Sequence, residues 1–507
     1  MTQGKWKSEV RLTSDVNEEP APEPREVEDK PFVIAVLADL CGPAGKDRKP
    51  RIAERRFVEL DRDNFDEVMA RQRVQWQGRL EEVPGSPGTA LPVRLEFRAL
   101  EDFEPDRIVR QIEPLSCLVD GLRNPSRLED FASDLLARAG EPAVTAEESR
   151  KPAYTPPRVD GATLLESIVS GTPVPSTSPD EMEDFVRDIV RPHALRSEDS
   201  RESALKSAAA QALAVQLRAI LHDRAFQTLE STWRSLHWLV TMVETGPAMK
   251  IELAHVTKAE ILEDLDTGAE MQNSGLAKLI RSRGGENGGE PLSLLIGDYE
   301  FSTDLEDLAV LERLANIAQR LRAPLVAAAG PRLVGCESFA ELSSAGNLDA
   351  LFKTAPYEAW RMMRRSSAAR WAALALPRLL CRLPFGRETN PTETFPFEEE
   401  VGGRMENLVW GNPAFAVAAV IAEAFCREGW NFDLSEMVPR LDGFPLYVYE
   451  DEGEKKTVPC AEALLSEKTL ESLESAGLCP LLSRRDSDCV LLTALQTTAE
   501  PRAPIRW

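Results

Sequence analysis

Apolar residues recur along this chain with two spacings, and together these predict a mixed α/β fold. The run PFVIAVLADL at 31–40 is continuously apolar and β-branched, as is typical of a strand buried on both faces. LPVRLEFRAL at 91–100 alternates apolar and polar residues and predicts a second strand. Residues 105–138 have helical spacing. The first 140 residues are therefore predicted to form a small α/β unit.

Helical spacing is clearest in FQTLESTWRSLHWLV, residues 226–240. Steps of three and four residues place five large apolar side chains on one face: Phe226, Leu229, Trp233, Leu236 and Val240. Periodicity alone indicates a core helix of a large domain. Glu230 and Arg234 are four residues apart, in the favourable order for an ion pair, and we assign them to a different face.

The second half of the chain alternates predicted strands and helices. LSLLIGD at 292–298 and PLVAAA at 324–329 are predicted buried strands, and an amphipathic helix ending near Leu321 separates them. This order predicts a βαβ unit. Further helices are expected near 357–381 and 413–428, followed by short strands.

Proline divides the chain. Residues 141–162 contain four prolines among Thr and Glu, a composition typical of a stiff linker. We therefore predict an N-terminal region at 1–140, a linker at 141–179 and a large region at 180–507. Within the linker, ATLLESIVSG at 162–171 predicts a short amphipathic helix with these apolar positions: Leu164, Leu165, Ile168 and Val169. Near the N-terminus, Val10 and Leu12 alternate with polar residues and predict an edge strand.

The net charge and the composition indicate which classes of partner are disfavoured. The chain has 507 residues, 43% of them hydrophobic, and a formal net charge of −24. Such a surface repels nucleic acid, anionic lipid and other copies of the chain, so assembly requires local charge matching or backbone pairing. No run is long enough to span a membrane, and the N-terminus lacks a signal peptide. Eight scattered cysteines without a Cys-x-x-Cys pair are typical of a reduced, cytoplasmic protein.

No motif indicates catalysis or a cofactor. Gly45-Lys46 is not a phosphate-binding loop, because Leu40 and Asp47 stand where the motif needs Gly and Ser or Thr. Residues 61–66 are not a calcium loop, because Phe65 and Asp66 replace an oxygen ligand and a glycine. The four histidines lack metal-ligand spacing. We therefore expect no cofactor, no metal and a structural role; the alternative is an α/β enzyme with an unrecognised site.

Several blocks of the second half resemble the large sheath subunit of the type VI secretion system, a bacterial contractile injection machine. Besides the 226–240 helix they are GDYEF (297–301), RLRAPLVAAAGPRLVGCESFAEL (320–342), ALPRLLCRLPFG (375–386), LVWGNPAFA (408–416) and GLCPLLSRRDSD (477–488). Residues Phe226, Leu229, Trp233 and Leu236 are the hallmark core of that resemblance. The blocks follow one another in the order that the family shows.

The N-terminal region resembles the partner, the small sheath subunit. Its matching blocks are VRLTSDV (10–16), PFVIAVLADLCG (31–42), ERRFVELDRDNFDEVM (54–69) and LEFRALEDFEPDRIVRQI (95–112). The chain thus resembles small and large subunits joined in one polypeptide. The expected architecture is a small α/β unit docked on a larger α/β sheath-type domain.

The resemblance implies a structural role and a set of partners. These are other sheath subunits, an inner tube protein, a baseplate and a recycling AAA+ ATPase. It further implies that Val10, Leu12 and Val16 lie in a strand that joins neighbouring subunits. By the same resemblance, the helix containing Leu164, Leu165, Ile168 and Val169 is the segment recognised by the ATPase. The family's large subunit continues past the point matching Trp507, so the alternative is a non-polymerising adaptor or cap.

Overall fold

Among the residues that the structure describes, nine strands form a mixed sheet at the centre of the protein. The structure is a computed structural model that describes residues 30–42, 50–81, 83, 90–124, 126–128, 201–266, 273–283, 290–344, 346–434 and 439–507. The strands of the described residues, both inside and outside this sheet, are β1 (Phe32–Ala38), β2 (Val58–Leu60), β3 (Val74–Leu80), β4 (Leu91–Phe97), β5 (Met249–His255), β6 (Leu294–Phe301), β7 (Leu325–Ala329), β8 (Ala372–Leu376), β9 (Leu379–Leu380), β10 (Trp410–Gly411), β11 (Arg440–Leu441), β12 (Tyr447–Asp451), β13 (Glu454–Val458), β14 (Cys479–Ser483) and β15 (Val490–Leu492).

Helices cover both faces of this sheet. The helices of the described residues are α1 (Phe65–Gln72), α2 (Pro105–Arg110), α3 (Glu113–Arg123), α4 (201–221), α5 (Arg224–Met242), α6 (Lys258–Asp266), α7 (Gly275–Arg281), α8 (Leu305–Leu321), α9 (Leu348–Leu351), α10 (Glu358–Arg365), α11 (Ala414–Glu428) and α12 (Glu467–Ser475). The α/β class predicted from the hydrophobic pattern is confirmed.

The sheet order is β11-β15-β14-β8-β7-β6-β1-β5-β2. The six strands from β14 to β5 are mutually parallel, whereas β2, β15 and β11 are antiparallel to their neighbours. Parallel strands covered on both faces need apolar residues throughout, which explains the continuous apolar runs in the sequence. The predicted βαβ unit is confirmed as β6, α8 and β7, with the two strands paired in parallel.

Strand β1 belongs to the N-terminal region but lies inside the sheet of the large region. It pairs in parallel with β5 along its full length, from Phe32↔Met249 to Ala38↔His255, and with β6 on its other side. All seven of its residues are buried. The two regions therefore share one sheet, a closer association than the expected docking of separate units. The predicted boundaries near 140 and 180 lie outside the described residues and stay predictions.

Alternate residues of β1 enter two apolar layers. Phe32, Ile34 and Val36 point into the layer that contains α5 and α11. Val33, Ala35 and Leu37 point into the layer that contains α8 and α10. Because side chains alternate across a strand, one short segment of the N-terminal region joins both cores.

The prediction of a helix through 357–381 is wrong beyond α10. Residues Ala372–Leu376, AALAL, form the fully buried strand β8 between β7 and β14. Alanine and leucine favour helices in isolation, so local propensity pointed the wrong way. Backbone pairing on both edges of β8 outweighs that preference. The predicted helix at 413–428 and the strand at 91–100 are confirmed as α11 and β4.

Candidate functional site at the junction of the two regions

Helix α5 begins against the N-terminal region. Its N-cap residue, Asp223, accepts a hydrogen bond from the backbone N–H of Phe226 (2.9 Å) and another from the indole Nε1 of Trp76 (2.8 Å). An N-cap carboxylate satisfies a backbone donor that the first helical turn leaves unpaired. Here the same carboxylate also binds a residue of β3, so the start of the helix fixes the two regions together.

Phe226 fills an aromatic cluster supplied by the N-terminal region. Its ring lies 6.0 Å from that of Trp76, 5.8 Å from Phe97 and 5.6 Å from Phe103, each in edge-to-face geometry. Phe97 and Phe103 stack on each other with ring centroids 4.2 Å apart. Edge-to-face and offset-stacked pairs stabilise beyond the area that they bury. One turn of α5 thus provides the centre of a core shared by both regions.

Trp233 repeats the pattern two turns further along α5. Its side chain is fully buried, its Nε1 donates to the backbone oxygen of Leu40 at 3.0 Å, and Phe65 packs edge-on at 5.7 Å. Leu229 and Leu236 are buried beside it. Leu229 also approaches Gly42, which has a positive φ of 74° and where a Cβ atom would meet the Gln75 oxygen at 2.6 Å. The structure therefore places the apolar face predicted for residues 226–240 against the N-terminal region.

A buried ion network lies on the other flank of α5. Arg382 donates from Nε to Glu230 Oε1 (2.7 Å) and from Nη1 to Glu399 Oε2 (2.8 Å). Arg234 donates to the same Glu230 oxygen at 2.7 Å, and the backbone N–H of Phe385 donates to Glu399 at 2.7 Å. The exposed fractions are 0% for Glu230, 1% for Glu399 and 6% for Arg382. Two carboxylates and two guanidinium groups balance in charge.

The predicted ion pair of Glu230 with Arg234 is present at 2.7 Å, on the flank of α5 beside the apolar stripe, where Glu230 is fully buried. Glu230 lies four residues after Phe226, so helical spacing places it beside the apolar stripe. A carboxylate at such a position is a signal for a buried partner, although the sequence does not reveal that the partner is Arg382. Nothing in the sequence indicates that Arg382 joins Glu230 to Glu399, because Glu230 lies far from the other two residues along the chain.

The network keeps its charges despite burial. Burial alone would raise the pKa of the Glu230 carboxyl, but Arg382 and Arg234 outweigh this effect and the pKa is lowered. Burial would lower the pKa of Arg382, but the two glutamates raise it. His222, whose Nε2 lies 3.7 Å from Glu399 Oε1, has a lowered pKa because burial outweighs the attraction of that carboxylate.

The segment 384–400 is held by both regions. Asp106 of α2 accepts hydrogen bonds from the backbone N–H groups of Glu393 (2.8 Å) and Thr394 (3.0 Å) and from the Thr394 hydroxyl. Arg218 of α4 donates to the backbone oxygen of Glu398 at 2.9 and 3.0 Å. Phe395 and Phe397 are buried. This segment therefore links α2, α4 and the buried network.

Polar groups also gather where the parallel strands end. In open α/β sheets ligands bind outside the carboxyl ends of strands at the point where strand order reverses, here between β1 and its neighbours. Asp298 accepts from the Thr232 hydroxyl of α5 at 2.6 Å, and His255 accepts from the Leu40 N–H at 3.0 Å. Burial, only partly offset by hydrogen bonds from Thr232 and Asn412, raises the pKa of Asp298 to about 6. Helix α5 thus supplies a hydrogen-bond donor at this end of the sheet.

The remaining predictions concern metal binding, membrane spans and two recognition segments. Within the described ranges, no group of three or more His, Cys, Asp or Glu side chains is arranged to hold a metal ion. None of the helices that the structure describes is long and apolar enough to cross a membrane. Val10, Leu12 and Val16, and likewise Leu164, Leu165, Ile168 and Val169, lie outside the described residues. Their predicted roles stay predictions.

Comparison with known proteins separates the chain into two matches. Residues 205–499 match the family model described as EvpB/VC_A0108, tail sheath N-terminal domain, and residues 5–140 match that described as type VI secretion system, VipA, VC_A0107 or Hcp2. Over 296 residues the chain is 33% identical to the type VI secretion system sheath protein TssC1 of Pseudomonas aeruginosa, covering 57% of this chain and 59% of that protein. Over 92 residues it is 33% identical to TssB1 of the same organism, covering 18% of this chain and 51% of that protein. The chain thus matches between half and three fifths of the length of these relatives.

Proposed function

Because the chain belongs to the type VI secretion tail sheath family and joins a VipA-type region to a VipB-type region, we propose that it is a structural subunit of a contractile sheath. One observation carries this proposal. Strand β1 of the VipA-type region completes the sheet of the VipB-type region, so the two parts fold as one building block. A sheath subunit must transmit force through its body, and a shared sheet with a shared aromatic core supports that role.

Fusion has a direct physical consequence for assembly. Two separate subunits must find each other in solution, whereas two regions on one chain meet at an effective concentration in about the millimolar range. The chain therefore fixes a one-to-one ratio of the two parts. In this proposal the building block works by joining further copies or other sheath subunits in the bacterial cytoplasm, with neither cofactor nor catalysis.

Electron microscopy of the purified chain tests this role. Long hollow tubes, formed alone or on addition of the inner tube protein, are the expected result. Discrete particles under both conditions would contradict the sheath role and favour a non-polymerising adaptor or cap that binds the baseplate or one end of a sheath. Co-purification with the inner tube protein or with baseplate proteins then identifies which end of the assembly the chain contacts.

We further propose that residues 10–16 supply a strand that adds to a neighbouring subunit. The alternation of Val10 and Leu12 with polar residues supports this role, because an added strand buries one face. Introducing Val10→Asp and Leu12→Asp should abolish end-to-end assembly and leave the thermal midpoint unchanged. Thr13→Asp, on the opposite face, is the matched control. Assembly by the double variant at the level of the control would contradict this role.

We also propose that the short helix at 162–171 is the site recognised by the recycling ATPase. Its four apolar residues, Leu164, Leu165, Ile168 and Val169, form one face of a helix short enough to bind in a groove. Leu165→Asp with Ile168→Asp should abolish binding of the ATPase's substrate-recognition domain in a titration, while Glu166→Gln should bind like the unmodified chain. Unchanged affinity in the double variant would contradict the assignment.

A further inference from the structure

Strands β3 and β4 form a two-stranded ribbon whose outer face is basic. The strands pair from Val74↔Phe97 to Leu80↔Leu91, and their inner face packs Trp76 and Phe97 against α5. The outer face carries the exposed side chains of Arg79, Arg94 and Arg98. The Glu96 carboxylate lies 3.3 Å from Nη2 of Arg94 and 3.8 Å from Nη2 of Arg98. The three arginines and this one glutamate leave the face with two positive charges in excess. Such a surface is unusual on a chain of net charge −24.

A side chain occupies the free edge of β4, whereas the outer face of the ribbon is exposed. The Gln111 carboxamide accepts from the Glu96 N–H (2.9 Å) and donates to the Glu96 oxygen (3.0 Å), as an added strand would. Pro92, further along β4, has no N–H to offer. Strand addition along β4 is therefore hindered. Residues 77–79 and 92–94 line an open depression of 490 Å³, which we call the basic groove because it includes Arg79 and Arg94.

An acidic hairpin elsewhere on the surface has the complementary charge. Strands β12 and β13 join through Glu452 and Gly453, which both have positive φ, as a tight two-residue hairpin turn requires. Four exposed carboxylates and two exposed lysines surround this turn: Glu450, Asp451, Glu452 and Glu454, with Lys455 and Lys456. In the part of the chain that the structure describes, no side chain pairs with Glu450, Glu452 or Glu454. The hairpin tip has two negative charges in excess.

The root of the hairpin is well anchored. Tyr447 and Tyr449 stack with ring centroids 5.6 Å apart, and Tyr449 packs over Gly403. Val458 lies in a small apolar cluster with Trp410. A rigid base with a charged, exposed tip is suited to insertion into a shallow groove, because little conformational entropy is lost on docking.

We propose that the β12–β13 hairpin tip of one copy docks in the basic groove of the β3–β4 ribbon of a second copy. Copies of this acidic chain repel each other, so they need a local match of charge in order to associate. No hydrogen bond or ion pair joins the hairpin to the ribbon within the described part of one chain, so both surfaces remain available to neighbours. Since the two surfaces differ, the contact is heterologous and propagates from copy to copy. It deepens the proposed function by naming one surface through which subunits join.

Charge reversal in the full chain tests this contact by sedimentation velocity at low and high salt. The ribbon variant is Arg79→Glu with Arg94→Glu, and the hairpin variant is Glu450→Lys with Glu454→Lys. The control, Arg56→Glu with Arg370→Glu, changes the net charge as the ribbon variant does, at exposed positions outside both surfaces. Circular dichroism and thermal midpoints establish that each variant folds, and Arg79→Ala with Arg94→Ala replaces the ribbon variant if it does not.

Each reversal alone should weaken self-association by about tenfold or more at low salt, and the control should not. An equimolar mixture of ribbon and hairpin variants should regain association, because each acidic ribbon then meets a basic hairpin. Added salt should weaken the wild-type contact through screening. A wild-type chain that stays monomeric, a ribbon variant that associates like the control, or a mixture that shows no recovery would each overturn the contact. Tubes that form equally well from the ribbon variant would contradict this contact alone and leave the proposed sheath role intact. Self-association through this contact without tubes would contradict the sheath role alone.

Discussion

Replacing Arg382 by Met removes the positive charge at the centre of the buried network. In the native protein this guanidinium binds Glu230 and Glu399, which are 0% and 1% exposed. After Arg382→Met, Glu230 retains Arg234, whereas among the described residues Glu399 retains only the Phe385 N–H as a donor, with the neutral His222 nearby. Removing one partner of a buried ion pair costs about 3 to 5 kcal/mol, because a charge is left in a low-dielectric site. We expect the free energy of unfolding to fall by that amount at pH 8.

The loss should depend on pH. A buried carboxylate without its cation favours the neutral, protonated form, so protonation should offset part of the loss in Arg382→Met as the pH falls. The protonated carboxyl group therefore contributes stability at low pH, and this contribution is lost as the pH rises and the group ionises. The gap between wild type and variant should therefore be smaller at pH 5 than at pH 8.

Urea unfolding followed by tryptophan fluorescence measures both effects. The matched control is Arg365→Met, which breaks an exposed pair with Glu500 and should cost less than about 1 kcal/mol. A triple variant with Glu230→Gln, Arg382→Met and Glu399→Gln removes all three charges and should be more stable than Arg382→Met alone. If Arg382→Met costs no more than Arg365→Met, or if the triple variant is the least stable of the set, our account of the network is wrong.

Three further predictions concern the same junction. Trp233→Ala should cost about 3 to 5 kcal/mol in urea unfolding as a core aromatic, and Trp233→Phe, which loses the hydrogen bond to Leu40 but keeps a ring, should cost less; a melting temperature within error of wild type for the alanine variant would contradict the buried position. The pKa of Asp298, raised to about 6, means that folding favours its protonated form, so stability should fall as the pH rises from 4 to 6. Asp298→Asn should therefore raise the melting temperature at pH 7.5 and have little effect at pH 4.5, and equal shifts at both pH values would exclude this origin. Asp106→Ala should speed amide hydrogen exchange at Glu393 and Thr394, which lose their acceptor, and leave exchange in β6 unchanged; protection that persists at both residues would show that other contacts hold the segment.

The buried strands and the amphipathic helices could be predicted from the sequence. Strand β1, strand β7 and helix α8 each carry a hydrophobic pattern that repeats within a few residues, and such a pattern arises from the local geometry of the backbone. The apolar face of α5 followed from the same reasoning. The ordered sequence blocks also indicated the sheath family, which the two matches support.

The tertiary structure decided which distant segments of the chain pair with one another. β1 is apolar on both faces, but nothing in that pattern specifies that it lies between β5 and β6, more than 200 residues away. AALAL at 372–376 favours a helix locally and becomes a strand only because β7 and β14 pair with its two edges. Glu230 is stable in the core only because Arg382, 152 residues distant, reaches it there. Periodicity is a property of neighbouring residues, whereas strand order and buried charge pairing depend on contacts between distant segments that form only when the whole chain folds.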